Sequence, residues 1–123
     1  MTALSTADVA AIDLIESAAT GVLTLAEGLD ADELSRSRLT QFEVRRGLLQ
    51  AASAALALSE RALASMPELD VSGWRHTKQR LDTPTGTDAH SVWFAVQALA
   101  PATIGWIRFY RARHPELFSA TSP

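Results

Sequence analysis

Residues 73–94, GWRHTKQRLDTPTGTDAHSVWF, concentrate the side chains of this chain that can bind ligands or transfer protons. The segment holds two of the three tryptophans, two of the three histidines and the single lysine, whereas alanine and leucine dominate the rest of the chain. Histidine is the side chain that most readily exchanges a proton near neutral pH. We therefore take His76 and His90 as the candidate catalytic residues, acting as general acid or base.

The same segment has the composition of a binding site for a polar or anionic small molecule. Cationic side chains bind anionic groups, and indole rings supply flat apolar walls. A cation at the position of Arg45, in the middle of the second long helix, also needs a partner or a ligand. We predict a pocket between residues 74–93 and this helix, in which a ligand is bound by Arg45, Trp74, Arg75, Asp82 and Trp93. The alternative is a solvated basic loop whose tryptophans cap the core, with Glu43 or Asp82 as the partner of Arg45.

Metal and nucleophilic chemistry are not favoured by the sequence. Asp88 and His90, with His76 and Asp82 nearby, supply ligand types for a metal, but side chains two apart on a helix point in different directions. The Glu-x-x-His and His-Glu-x-x-His motifs do not occur, and the chain has no cysteine. The sequence predicts no metal and no cofactor, and Asp88 is expected to cap the last helix.

The last helix ends in a basic and aromatic stretch, RFYRARH, over residues 108–114. Cations suit the C-terminal end of a helix dipole, and a net charge of −3 is not typical of a nucleic-acid-binding protein. The separation of Arg108 from His114 resembles the Arg-x5-His spacing of the HEPN ribonucleases, a helical-bundle family. That resemblance implies RNA binding or cleavage, although Phe109 stands where the family has a polar residue. RNA binding is kept as a lesser alternative.

Length and composition indicate one globular domain over residues 1–123. Hydrophobic residues make up 47% and charged residues 20% of the chain. The acids near the N-terminus do not suit a signal peptide, and the lack of cysteine favours a cytoplasmic location. Residues 91–107 are uncharged and have a tryptophan near each end, but their helix would be about 25 Å long, shorter than a bilayer core of about 30 Å. We predict no membrane segment.

Charge is unevenly distributed along the chain. Residues 1–34 contain seven acidic residues and no lysine or arginine. The remainder is therefore net positive. We expect the acidic first helix to pack beside, or dimerise onto, a basic surface of the bundle.

The hydrophobic periodicity predicts helices throughout and no strand. The first helix should begin at Ser5 or Thr6 and run to Gly28, and the next should start with the cap Asp30–Glu33 and continue to Pro67. Its seam is expected along a seven-residue repeat of Phe42, Leu49, Leu56 and Leu63, with Leu48, Ala52, Ala55, Ala62 and Met66 beside them.

A structured loop near 67–89 is expected to follow, in which WRHTKQRL could form two helical turns. The last helix, capped by Thr87 or Asp88, should kink at Pro101 and end at His114-Pro115. The predicted fold is a small all-α antiparallel helical bundle with three to four principal helices.

Two functional hypotheses follow from these sequence patterns. The first is a small-molecule-binding protein or small cofactor-independent enzyme, and the second is a non-catalytic protein-interaction bundle. A binding pocket requires arginine or histidine side chains directed into a concave space, whereas an interaction module leaves them in solvent beside an apolar patch. Because the helices have more apolar surface than four of them can cover, a homodimer is expected.

Overall fold

The computed structural model describes residues 3–82 and 89–119, and every regular element in these ranges is helical. Five helices precede residues 83–88: α1 Thr6–Ala26, α2 Ala31–Arg36, α3 Arg38–Leu56, α4 Glu60–Ser65 and α5 Val71–Asp82. They are followed by α6 Ala89–Phe94, a π-helical turn Ala95–Leu99, α7 Ala100–Arg113 and a 3-10 turn Pro115–Phe118. The predicted all-α helical bundle is confirmed.

Helix α1 begins where its cap predicts. The Asp8 backbone N–H donates to the Ser5 hydroxyl at 3.0 Å, which satisfies one of the free amides of the first turn. One stripe of the helix is buried, namely Ile12, Ile15, Ala19, Val22 and Ala26. The chain leaves the helix through Gly28, whose φ of 80° is a left-handed conformation that glycine adopts without steric cost.

The prediction of a single long helix between Asp30 and Pro67 is wrong, because the chain forms three helices there. The first break is at Ser37, whose hydroxyl accepts from the Thr40 N–H at 3.3 Å. The second precedes α4, where the Ser59 hydroxyl accepts from the Ala62 N–H at 3.1 Å. A serine hydroxyl bonded in this way takes the place of a helical carbonyl, so each serine starts a new helix.

Asp8 ties the first turn of α1 to the start of α4. Its carboxylate accepts from the Ser59 backbone N–H at 3.0 Å and from the Ser59 hydroxyl at 2.6 Å, and its residue is buried. Burial alone raises the pKa of the Asp8 carboxyl. The hydrogen bonds from Ser59, aided by Ser5 and the charge of Arg61, outweigh burial and hold the pKa below its ordinary value.

Helices α1 and α3 run antiparallel in close contact. Leu14 lies beside Ser53 and Ala54, while Val22 lies beside Gly47 at the other end of the contact. A Cβ atom at position 47 would be 2.6 Å from the Val22 Cγ2 atom, so the approach requires glycine. The inner face of α3 is mostly alanine, which also allows α5 to pack against it.

The acidic side of α1 faces the basic end of α7, as the charge distribution predicts. Glu16 binds Arg108 at 3.1 Å and Arg111 at 3.2 Å, and Asp13 binds Arg111 at 2.6 Å. The expectation that the acidic helix packs beside a basic surface is thereby confirmed. Since Arg108 is 62% exposed, these pairs orient the helices more than they stabilise them.

The last helical segment contains an irregularity immediately before Pro101. Residues Ala95–Leu99 form a π-helical turn, in which the Ala100 N–H donates to the carbonyl of Ala95. Proline has no N–H for the Gln97 carbonyl and its ring crowds that carbonyl, so a wider turn is accommodated at this point. The helix ends at Arg113 with His114 as its cap, as predicted. The proposed caps Thr87 and Asp88 lie outside the described residues.

Two segments have the apolar character of a membrane helix. Residues 91–107 pack into the bundle through Val92, Val96, Leu99, Ile104 and Ile107, all of which are buried. Helix α1 is long and apolar enough to cross a membrane by length and composition, with a mean hydropathy of 1.6 over 18 residues. In the bundle, 33% of that window is buried.

Candidate functional site

A cavity of about 320 Å³ lies between α2, the first half of α3 and the start of α6. This volume is at the lower end of the range for small-molecule pockets, about 300 to 1000 Å³. Its described lining consists of Ala31, Asp32, Leu34, Ser35, Gln41, Arg45, Ala89, His90, Val92 and Trp93. Three of the seven residues predicted for the site, Arg45, His90 and Trp93, are therefore brought together.

The wall formed by α2 is held by local hydrogen bonds. Asp30 and Glu33 form a complete capping box, with backbone N–H to carboxylate distances of 3.0 and 2.8 Å. Leu34 is buried and anchors the helix to the bundle. The Gln41 side-chain amide donates to the backbone carbonyl of Ser35, which joins α2 to the first turn of α3.

The lining combines a flat apolar wall with several polar groups. Trp93 is half-buried and stands beside the buried side chains of Leu34 and Val92. Arg45 is half-buried, and His90 lies at the exposed side of the cavity. An arginine partly removed from water binds an anionic or carbonyl oxygen more strongly than one in free solution, because the local charge interaction is less screened.

Trp74 is a core residue and does not form a pocket wall, contrary to prediction. It is 1% exposed, and its indole N–H donates to the Thr103 hydroxyl at 3.0 Å. That hydroxyl in turn donates to the Leu99 carbonyl at 2.7 Å. Trp74 thus joins α5 to the last helical segment through a buried chain of hydrogen bonds.

Arg75, His76 and Asp82 lie on the solvent side of α5. They are not among the described residues that line the cavity. Asp82 accepts from Lys78 at 2.7 Å and is half exposed. These three side chains face solvent because of the helical period. Trp74, Thr77 and Leu81 occupy the inner face of α5, so the charged residues between them point outward.

Residues 71–82 form a three-turn helix where a structured loop with two turns was expected. The Gly73 N–H donates to the Asp70 carboxylate at 2.8 Å, which caps the helix. An aspartate three residues before this glycine is the signal that could have located the start. The charged side chains of this segment therefore lie on the outer face of a helix.

Sequence reasoning missed the contributions of Asp32, Ser35 and Gln41 to the cavity. The segment around residues 30–35 was interpreted as a helix cap alone. Its spacing carries no signal for a pocket, because these side chains share a space with His90 and Trp93 only where α2 and α6 border the same cavity.

The two residues that resemble the HEPN spacing are both engaged with acids. Arg108 binds Glu16 at 3.1 Å, and the Nδ1 atom of His114 lies 3.4 Å from a Glu116 carboxylate oxygen. The His114 ring also packs against Phe109, with ring centroids 6.4 Å apart. Both side chains have structural partners at the end of α7.

The fold and the cavity define the class of protein as a small helical bundle with a mixed polar and apolar pocket between three of its helices. The chain matches no protein-family model, and neither the curated proteins nor the solved structures gave a match.

Proposed function

We propose that this protein binds a small polar or anionic molecule in the cavity between α2, α3 and α6. The observation that carries the proposal is the meeting of Arg45, His90 and Trp93 around one space of about 320 Å³. Arg45 belongs to α3, whereas His90 and Trp93 are three positions apart in α6. In support of the proposal, these side-chain types can bind an anion, exchange a proton and stack on a flat ring.

The lining favours a ligand with a flat part and at least one oxygen-rich group. Trp93 offers its ring for stacking, and Leu34 and Val92 extend the apolar wall. Arg45 and the second N–H of the Gln41 amide, whose first donates to Ser35, can donate to carboxylate, phosphate or carbonyl oxygens. Asp32 and Ser35 on the α2 side can accept from a hydroxyl or amino group of the same molecule.

Catalysis by proton transfer depends on His90 in this arrangement. Of the two histidines predicted for the role, His90 lines the cavity and His76 is exposed on α5. A general acid or base has to lie within hydrogen-bond reach of the reacting proton. The primary proposal is accordingly binding, with any proton transfer assigned to His90.

A non-catalytic interaction bundle is the second candidate. The exposure of Arg75 and His76 favours it, since this is the arrangement expected of a docking surface. The two functions predict different effects of arginine substitution. Ligand binding in a pocket depends on Arg45, whereas binding of a protein partner depends on Arg75.

The test is a screen of small aromatic and aliphatic carboxylates and phosphates by NMR of 15N-labelled protein. The three tryptophans supply three indole N–H signals. Binding in the cavity should shift the Trp93 signal and leave the buried Trp74 signal in place. Native mass spectrometry of the protein purified from its own host would detect a natural ligand by its added mass.

Matched variants locate the site. Arg45→Gln and His90→Gln should weaken binding by about tenfold or more, which is the loss of one charged or polar contact. Arg75→Gln and His76→Gln are the controls, because they make the same chemical changes outside the cavity. Equal losses from both pairs, or no loss from Arg45→Gln, would contradict the pocket.

A further inference from the structure

The outer face of α3 carries an apolar row that the described part of the bundle covers only in part. Leu39 is 74% exposed and Phe42 is 62% exposed, and Leu49 and Leu56 are half-buried. The core uses a different set of α3 residues, which are Val44, Leu48, Ala51, Ala52, Ala54 and Ala55. Of the seven-residue repeat expected to form the seam, Leu49 and Leu63 pack against the core and Leu56 is half-buried, whereas Phe42 faces outward. The residues expected beside the repeat are all buried, namely Leu48, Ala52, Ala55, Ala62 and Met66.

The spacing of this outer row is that of a coiled-coil seam. Its members alternate by three and four residues: Leu39, Phe42, Arg46, Leu49, Ser53 and Leu56. Alternation of this kind keeps one face of a helix directed at a partner helix over its whole length. In this chain, the described helices leave Leu39 and Phe42 without such cover.

A shallow groove adjoins the row at its C-terminal half. Leu14 of α1 forms one side of it, and Arg46, Leu49, Gln50, Ser53 and Ala54 of α3 form the rest. Its volume is about 510 Å³, and its described lining contains no acidic residue. Because Ser53 and Ala54 are small, a large side chain can approach the α3 backbone there.

We propose that a second copy of this chain occupies this face, with the two α3 helices packed antiparallel about a two-fold axis that crosses the outer face between Arg46 and Leu49. Phe42 of each copy then lies against Ser53 of the other and enters the groove beside Leu14. The separation of Phe42 from Ser53 along α3, about 16 Å at 1.5 Å per residue, is the same in both copies. A two-fold axis therefore fills both grooves at once.

The rest of the row agrees with the antiparallel register. Leu39 meets Leu56 of the second copy, which covers the most exposed apolar side chain of the helix. Arg46 meets Leu49, so its aliphatic stem packs while its guanidinium remains paired with Glu43 at 2.9 Å. A parallel register would instead set Arg46 against Arg46.

Charge also favours the antiparallel arrangement. Arg36 and Arg38 are exposed beside the N-terminal end of α3, and Glu60 is exposed just beyond its C-terminal end. Reversing one copy brings the basic end of each helix toward the acidic residue of the other. The polar side chains of Arg46, Gln50 and Ser53 along the face do not suit a bilayer, and its leucines and phenylalanine do not suit nucleic acid.

The first test is the mass in solution. Sedimentation equilibrium at micromolar concentration should give twice the 13.2 kDa of the chain. Phe42→Ser should weaken dimerisation at least tenfold, whereas Phe109→Ser, which changes an exposed phenylalanine of α7, should leave it intact. A monomeric parent protein, or equal losses from the two variants, would overturn the proposal.

The second test is the register, and the absence of cysteine from the chain makes it clean. Leu39→Cys combined with Leu56→Cys should form a disulfide-linked dimer under mild oxidation, and either single variant should stay unlinked. Rapid linking of the Leu39→Cys variant alone would indicate a parallel dimer and overturn the antiparallel arrangement. The absence of any linked product from the double variant would overturn it as well. Circular dichroism of each variant confirms that the helices remain folded.

Discussion

Thr103 shows how a single hydroxyl group can connect two helices. It accepts from the Trp74 indole at 3.0 Å and donates to the Leu99 carbonyl at 2.7 Å, and it is buried. A buried donor without a partner is costly, because it has lost its bond to water without replacing it. Trp74 therefore depends on Thr103 for its place in the core.

Replacing Thr103 with valine should lower the free energy of unfolding by about 1–3 kcal/mol, since the Trp74 N–H would then be buried without an acceptor. Urea denaturation measures the change. Thr20→Val, at an exposed position of α1, is the matched control and should have little effect. Combining Thr103→Val with Trp74→Phe should cost less than the two changes summed, because no donor then remains. Additive losses would contradict the bond.

Asp8 makes stability depend on pH through its contact with Ser59. Its folded-state pKa lies below the ordinary value of 3.8, so the unfolded chain takes up this proton more readily than the folded one. Its contribution is present above the ordinary pKa and is lost as pH falls through the lowered folded-state value. Asp8→Asn should cost about 1–3 kcal/mol at neutral pH, because the amide keeps one acceptor oxygen for Ser59 but lacks the second acceptor and the negative charge.

The difference between Asp8→Asn and the parent protein should shrink as the pH is lowered, in denaturation series at neutral and acid pH. Asp82→Asn serves as the control, since its pair with Lys78 is on the surface and contributes little. A difference that stays constant with pH would show that the carboxylate charge is not what Ser59 binds.

At the scale of helices, the contact of α1 with α3 depends on the size of one residue. An alanine at position 47 would place its Cβ 2.6 Å from Val22, whose branched side chain is buried and has little freedom to turn in a helix. A Cβ atom added at Gly21 of α1 would meet no neighbouring atom within 4 Å. The packing of α1 against α3 therefore requires glycine at position 47 but not at position 21.

Gly47→Ala should destabilise the protein by about 1–3 kcal/mol through overpacking. Gly21→Ala should stabilise it by up to about 1 kcal/mol, because alanine favours a helix and no neighbour obstructs it. Thermal denaturation of both variants gives the comparison. Two changes of the same sign would mean that α1 and α3 are not packed as closely as Gly47 allows.

For the whole molecule, self-association should make thermal stability depend on concentration. A dimer that binds only folded chains gains stability by mass action as the protein concentration rises. The Tm of the parent protein should therefore increase between about 1 and 100 μM, while the Tm of Phe42→Ser should stay constant. A flat Tm for the parent, with Phe42→Ser unchanged from it, would contradict the interface on α3.

A minor part of the candidate site could be predicted from the types of its residues, and less from their spacing. Arg45, His90 and Trp93 were predicted and lie around one cavity. Trp74, Arg75, His76 and Asp82 were predicted on the same grounds. Helix α5, however, places Trp74 in the core and the other three in solvent. Residue types reveal which side chains can bind a ligand, whereas the direction of each side chain depends on which face its helix buries.

The sequence by itself determined the helical character of the chain and several of its helix ends. Ser5, Asp30 and Gly28 act on amides or carbonyls within a few residues, so their effect is visible in the local order of residues. The tertiary structure decided the rest. Ser59 holds Asp8 across 51 positions, and Leu39 and Phe42 face outward because the alanines of α3 face α1 and α5. Such choices depend on contacts between residues distant in the chain, which local periodicity does not encode.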